Sequence, residues 1–342
     1  MSNNPAHANR PGSLTEDDWK LLLGKIRAGQ CTPFLGAGVN AGLLPLGATI
    51  ASKWAEEYGF PLKETHDLAR VSLFLALTLE PALPKALIQE MFQEKIEALF
   101  KGENPPTFRA PGNSLGVLAA LSLPLYITTN YDDFMYRALR ANHKAAGVEI
   151  CTWTPYLKTK VGGQVEYPNN MDLYWPRIPP PDDFTFKESR FNSAPVFKPS
   201  REHPIVYHLH GHYSLVESMV LTENDYLDFL VHMSKDAQLL PDQITKALTG
   251  SSLLFMGYSL ADPNFRVLFR GLLHPMAETR RLSVSIQLRP SDLAQPNEER
   301  ALDFLEKYFG DMKIKVFWGT AEEFAAELWR RWNGGNNGRP AN

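Results

Sequence analysis

Apolar positions along this chain recur with two periods. Trp19, Leu22, Leu23 and Ile26 stand at helical spacing, and Thr15 with Asp18 just ahead of them has the form of a capping box. Gly29 ends that helix, and residues 32–35 read as a short buried strand running into Gly36. Helical patterning then predicts a helix over 50–58, a helical stretch over 67–100 interrupted around 80–84, and a helix over 114–123. Apolar runs of strand length follow at 125–129, 205–209, 253–256, 282–288 and 313–317. Helical patterns come after several of them, over 134–141, from Thr222 onward and over 264–273. Strands alternating with helices in this way predict an α/β chain with a parallel, helix-covered sheet.

Two regions depart from that alternation. Residues 61–123 hold helices alone and read as a helical subdomain. Residues 152–200 are rich in proline and aromatic residues, including Pro179-Pro180-Pro181, and are longer than an ordinary connector. They read as an irregular insertion, serving either as an assembly interface or as a lid over a binding crevice. The predicted domain spans 15–332, between disordered tails at 1–14 and 333–342.

What the strands run into carries the candidate chemistry. In open parallel sheets ligands bind where strands end, so exit residues from several strands converge on one crevice. Gly36-Ala37-Gly38-Val39 with Asn40 follows the first strand. Glycines there permit close approach of a pyrophosphate to backbone N–H groups and the next helix N-terminus, although the same residues also suit a tight turn without a ligand. Thr129-Asn130-Tyr131-Asp132 follows the second strand. An asparagine at a strand exit can hold a sugar hydroxyl and a water together; the competing reading is that Asn130 and Asp132 organise the turn and cap the helix.

His208-Leu209-His210-Gly211-His212 follows the third strand. If the chain stays extended, the three histidines share a face, which would suit zinc, but Gly211 is expected to break the alternation. Alternatively His210 serves as a base, since its ordinary pKa of ~6.5 suits proton transfer at neutral pH. The fourth exit is Gly257-Tyr258-Ser259, ahead of a helix start at Asp262-Pro263.

These four exits together resemble the NAD-binding catalytic domain of the sirtuin-like superfamily, with Gly36-Ala37-Gly38 as the Gly-Ala-Gly loop, Asn130-Tyr131-Asp132 as Asn-x-Asp, and His210-Gly211 as His-Gly. The resemblance implies a Rossmann-like sheet, and it places Asn40 where relatives carry Ser and Thr129 where protein deacylases carry Gln. By the same resemblance Gly36, Ala37, Gly38, Val39, Asn40, Thr129, Asp132, Gly257, Tyr258 and Ser259 bind NAD, and Asn130 and His210 are catalytic. Departures narrow it further. The zinc module of the deacylases needs four cysteines and this chain has two, Cys31 and Cys151; Leu44-Pro45-Leu46-Gly47 stands where deacylases carry Ile-Pro-x-Phe-Arg shortly after the glycine loop. These features are similar to bacterial anti-phage NAD glycohydrolases. The implied activity is latent NAD⁺ hydrolysis that depletes NAD during infection, with no metal. A homo-oligomer, or a partner such as a HerA-type hexameric ATPase or an Argonaute, is implied as the setting. A zinc-free NAD-dependent deacylase and a non-catalytic NAD or ADP-ribose sensor are the alternatives.

Composition adds limits. Lys plus Arg total 35 against 38 for Asp plus Glu, a net charge of −3 with no long run of one sign, which argues against direct nucleic-acid binding. The N-terminus lacks the apolar core of a signal peptide, and the least charged stretch, 113–131, is broken by Pro124, so neither export nor a membrane span is predicted. With so few cysteines, a reducing cytoplasmic setting is expected.

Overall fold

The computed structural model describes residues 14–168, 181–236, 238–258, 282–288, 298–311 and 313–334. Its strands are β1 (Cys31–Leu35), β2 (Leu125–Thr128), β3 (Gly147–Ile150), β4 (Gln164–Glu166), β5 (Thr185–Lys187), β6 (Ile205–His208), β7 (Ser252–Met256), β8 (Ser283–Gln287) and β9 (Ile314–Trp318). They form one sheet in the order β5-β4-β3-β6-β2-β1-β7-β8-β9. From β3 to β9 every neighbouring pair is parallel, and β4 and β5 add on antiparallel. This is the expected Rossmann-like α/β fold.

The helices are α1 (Glu16–Arg27), α2 (Gly47–Glu57), α3 (Leu68–Thr78), α4 (Leu83–Lys101), α5 (Ser114–Ala120), α6 (Phe134–Ala141), α7 (Glu223–Lys235), α8 (Asp242–Gly250), α9 (Glu298–Asp311) and α10 (Ala321–Gly334). Reciprocal side-chain caps start two of them. Thr15 and Thr222 each accept the backbone N–H three residues on, and Asp18 and Asp225 return the bond, so α1 and α7 begin with reciprocal capping boxes. Two apolar clusters cover the sheet. One joins Trp19, Ile26, Val117, Phe134 and Leu139 to Phe324 and Leu328; the other packs Phe229, Ile244, Leu248 and Phe309 over Phe34, Ile127 and Phe255. Central strands are therefore buried on both sides, which is why their sequences are continuous apolar runs.

The helical stretch over 61–123 is α3, α4 and α5, and α4 leans on the third strand exit: Lys85 Nζ lies 2.9 Å from Asp225 Oδ1, and Gln89 Nε2 donates to the Tyr213 carbonyl at 2.7 Å.

Two features were not foreseen. β3 gives no periodic signal, because its Glu149 is fully buried and its Oε1 is bonded from elsewhere by Arg190. The insertion is more regular than its composition suggests, since it supplies β4 and β5 and a π-helical turn over Leu157–Val161. Its described aromatics turn inward more than outward. Trp153, Phe184 and Phe191 are buried, and Trp153 Nε1 donates to the Ser218 carbonyl at 2.9 Å. Tyr156 stays exposed. Of the expected tails over 1–14 and 333–342, Leu14 is buried and residues 333–334 close α10, while the rest, with Pro179-Pro180, Tyr174, Trp175 and the helix over 264–273, lies outside the described residues.

Candidate functional site

The strand order puts β6, β2, β1 and β7 side by side and parallel, so all four predicted exits leave the same edge of the sheet. From β1 the chain builds first to one side, through β2, and later to the other, through β7. That reversal is where an open α/β sheet leaves a crevice.

At the β1–β7 junction the loops interlock through absent side chains. A Cβ on Gly36 would sit 2.8 Å from the Gly257 carbonyl oxygen, and one on Gly38 would sit 2.9 Å from Gly257 Cα. Gly257 has φ +80°, and a Cβ there would meet Val39 N at 2.3 Å. The backbone then closes the seam: Gly36 N–H donates to the Met256 carbonyl and Gly38 N–H to the Gly257 carbonyl, each at 2.9 Å. Two of the loop amides expected to face a ligand are thus spent on β7. The loop also turns into a single 3₁₀ turn, Ala37–Asn40, and α2 begins beyond a further loop at Gly47, three residues before the predicted start. Tyr258 Oη donates to the Leu35 carbonyl at 2.7 Å. With that proton committed, the Thr129 hydroxyl donates to Tyr258 Oη at 2.8 Å, which joins the β2 and β7 exits. Ser259 lies outside the described residues.

At the β2 exit, Asn130 is held at three points. Its N–H donates to Thr128 Oγ1 at 3.0 Å, its Nδ2 to the Gly36 carbonyl at 3.2 Å, and its carbonyl lies 2.9 Å from His208 Nδ1. Asp132 serves the glycine loop rather than Asn130: Asn40 Nδ2 donates to its Oδ2 at 2.7 Å, and Phe134 N–H to its Oδ1 at 3.0 Å. Burial pushes the Asp132 carboxyl up to about 7, the nearby Asp133 adds to the rise, and the donated hydrogen bonds oppose it. Asn40 Oδ1 is buried without a partner among the described residues.

The three histidines do not share a face. β6 ends at His208, and Gly211 at φ +88° turns the chain. His210 then packs edge-on against Tyr226 and Phe229, with ring centroids 5.2 and 5.3 Å away, whereas His208 and His212 approach each other at 4.9 Å. Among the described residues no group of three His, Cys, Asp or Glu side chains is placed to hold a metal. His210 is 3% exposed, its Nε2 has no partner among the described residues, and desolvation pushes its pKa down to about 3.

Backbone pairing brings the Asn130 and His210 loops together. Leu209 N–H donates to the Thr128 carbonyl at 2.8 Å and Tyr213 N–H to the Tyr131 carbonyl at 2.9 Å. Tyr131 Oη reaches across to the Val220 carbonyl at 2.7 Å, and Val220 N–H in turn donates to the His210 carbonyl at 3.0 Å. Below them lies a buried ion pair, Arg137 Nε to Asp133 Oδ1 at 2.8 Å, with the guanidinium 4.9 Å from the Phe100 ring centre. Sequence reasoning missed Tyr131, which carries no signal of its own. It also missed the Asp133–Arg137 pair, whose i,i+4 spacing was readable although its burial was not.

Comparison with known proteins places the chain. A family model described as the SIR2-like domain matches residues 124–316, more than half of the sequence, and the chain belongs to that family of sirtuin-like, NAD-consuming domains. The matched segment includes the β2, β6 and β7 exits and leaves out the glycine loop, which the sheet sets between them. A solved structure described as "Structural Basis for the Mechanism and Regulation of Sir2 Enzymes" aligns over 94% of this chain and 100% of its own, at 12% identity and a TM-score of 0.34. No curated protein matches by sequence.

Proposed function

We propose that the protein is an NAD⁺ glycohydrolase, cleaving NAD⁺ and water to nicotinamide, ADP-ribose and a proton, with Asn130 and His210 as the catalytic pair. The observation that carries this reading is the joining of the β2 and β6 exits, which fixes Asn130 through its backbone and amide and sets on the neighbouring loop a neutral His210 whose Nε2 has no partner among the described residues. Cleavage of the nicotinamide–ribose bond leaves a cation-like sugar. Asn130 presents its Oδ1, free of partners among the described residues, to the ribose or the incoming water. A histidine held near pKa 3 is a weak base, but water that has bonded to a sugar cation is a strong acid, so His210 Nε2 suffices to take its proton. The glycine loop with Val39, the Asn40–Asp132 pair, and Thr129 with Tyr258 line the nucleotide side.

Burial of His210 under Tyr226 and Phe229 supports two refinements. It disfavours an open acyl-peptide groove, and hence the zinc-free deacylase, and it fits an enzyme that is latent until α7 shifts. A role in anti-phage defence by NAD depletion, in the cytoplasm and in a homo-oligomer or with a HerA-type ATPase or Argonaute, fits that latency. Neither metal nor nucleic acid has a part in the reaction. Among the described residues no helix is long and apolar enough to cross a membrane, and both cysteines are buried free thiols.

Incubating purified protein with NAD⁺, with and without an acetylated peptide, and quantifying nicotinamide and ADP-ribose tests the reading, alongside toxicity on expression in cells. Peptide-independent release of both products is expected. Release only with peptide makes the protein a deacylase. NAD⁺ binding with neither turnover nor toxicity makes it a sensor.

A further inference from the structure

His208 has no part in the reaction described above, yet it is fully buried and bonded to the residue at its centre. Its Nδ1 lies 2.9 Å from the Asn130 carbonyl oxygen. A carbonyl can only accept, so the proton sits on Nδ1 and the lone pair on Nε2, which is itself buried without a partner among the described residues. Burial pushes the ring down to about 4, so it is neutral at physiological pH and this tautomer persists. The ring is also wedged. His212 meets it edge-on at 4.9 Å, and His212 is locked in turn, its Nδ1 accepting the Ser214 N–H at 3.2 Å and its Nε2 lying 3.4 Å from Tyr167 Oη. Tyr167 stacks on Tyr136 of α6, with ring centres 4.1 Å apart. A chain of packed side chains thus runs from the insertion to the Asn130 backbone.

We propose that His208 is a positioning residue for Asn130. Thr128 fixes the amide nitrogen and Gly36 the side-chain amide, but neither restrains the peptide plane between Asn130 and Tyr131. The His208 donor does. Rotation of that plane would carry the Asn130 carboxamide away from the ribose, and small misplacements of a catalytic group cost large factors in rate. The competing account is that His208 only satisfies a buried carbonyl and fills the core. The proposal rests on the reading of this site as NAD-cleaving.

Three substitutions separate the two accounts. His208→Asn sets an amide donor near the place of Nδ1, His208→Gln sets one near Nε2, and His208→Phe keeps the ring without a donor. For nicotinamide release from NAD⁺, His208→Gln and His208→Phe are expected to lose roughly 10- to 100-fold in kcat, with KM nearly unchanged, while His208→Asn keeps most of the wild-type kcat. A structural role alone would lower the melting temperature in all three and leave kcat of the folded protein intact; that result, or equal kcat in His208→Asn and His208→Gln, overturns the proposal. Should His208→Phe fail to fold, the Asn–Gln comparison decides alone. If the wild type releases no nicotinamide, the hydrolase reading falls separately, and hydrogen exchange over residues 125–134 decides the positioning. Faster exchange in His208→Gln than in His208→Asn supports it, and equal exchange overturns it.

Discussion

At the β1–β7 junction three glycines bring two loops into contact because they have no side chains, whereas at the β2–β6 junction the loops are joined by what their side chains donate. Gly36, Gly38 and Gly257 leave room only for backbone. Across the sheet, His208, Tyr131 and Asp132 each reach to a specific oxygen or amide on another segment. The first junction is therefore broken by adding atoms and the second by removing them. On the proposed reading, chemistry that needs titratable groups falls on the second side and close approach to a polyanion on the first.

The largest expected effect lies under the polar junction. Arg137→Leu strands the buried Asp133 carboxylate and should cost about 3–5 kcal/mol in urea unfolding, while the double variant Asp133→Leu/Arg137→Leu should regain much of the loss. A loss under 1 kcal/mol would show that water reaches the pair. Next comes the glycine junction. Gly257→Ala adds a Cβ against the Val39 amide at a left-handed φ and should destabilise by roughly 3 kcal/mol, with NAD⁺ affinity lost as well. Unchanged affinity would place the nucleotide elsewhere.

Asn130→Ala and His210→Ala should each lose on the order of 10²-fold or more in nicotinamide release while staying folded. Wild-type turnover in either removes that residue from the mechanism.

Acid should sharpen the contrast. His208 and His210 have values of about 4 and 3 against an ordinary 6.5, and His212 is also driven well down by burial. Each is neutral in the fold and takes a proton on unfolding, so its contribution is intact above pH 6.5 and drains away towards pH 4, at up to ~1.4 kcal/mol per pH unit. Asp132, raised from 3.8 to about 7, runs the other way and recovers part of the loss as pH falls. Stability should therefore fall on balance from pH 6.5 to 4.5, and His210→Leu should flatten the curve; a flat wild-type profile would mean that the histidines are hydrated. The smallest effect is Tyr258→Phe, about 1 kcal/mol for the lost bonds to Leu35 and Thr129, with little change in turnover. Equal loss of turnover would couple the two sides.

How much could be read beforehand follows the same division. Six of the seven parallel strands, the capping box at Thr15 and the four exits are local patterns, and they were legible. β3 was not, because a buried Glu149 breaks its apolar run and its partner Arg190 lies far along the chain. The glycines were recognised, but their mutual packing was not, since sequence cannot show that Gly36 and Gly257 would press on each other. The His208–Asn130 bond depends on the parallel register Thr128↔His208, which no spacing reveals. Aromatic residues in the insertion suggested a surface; Trp153, Phe184 and Phe191 instead fill the interior.

The position of β1 sets the order in which the molecule can be completed. It lies in the middle of the sheet, yet its partners are β2 and, more than two hundred residues downstream, β7. During synthesis one flank of β1 stays unpaired until the β7 segment has emerged, and such long-range parallel pairing is slow to form. The glycine loop cannot take its final shape before Gly257 arrives to seal it. A nascent chain shorter than that is thus unable to close the β1–β7 seam, so the shape of the glycine loop is set only after the β7 segment has left the ribosome.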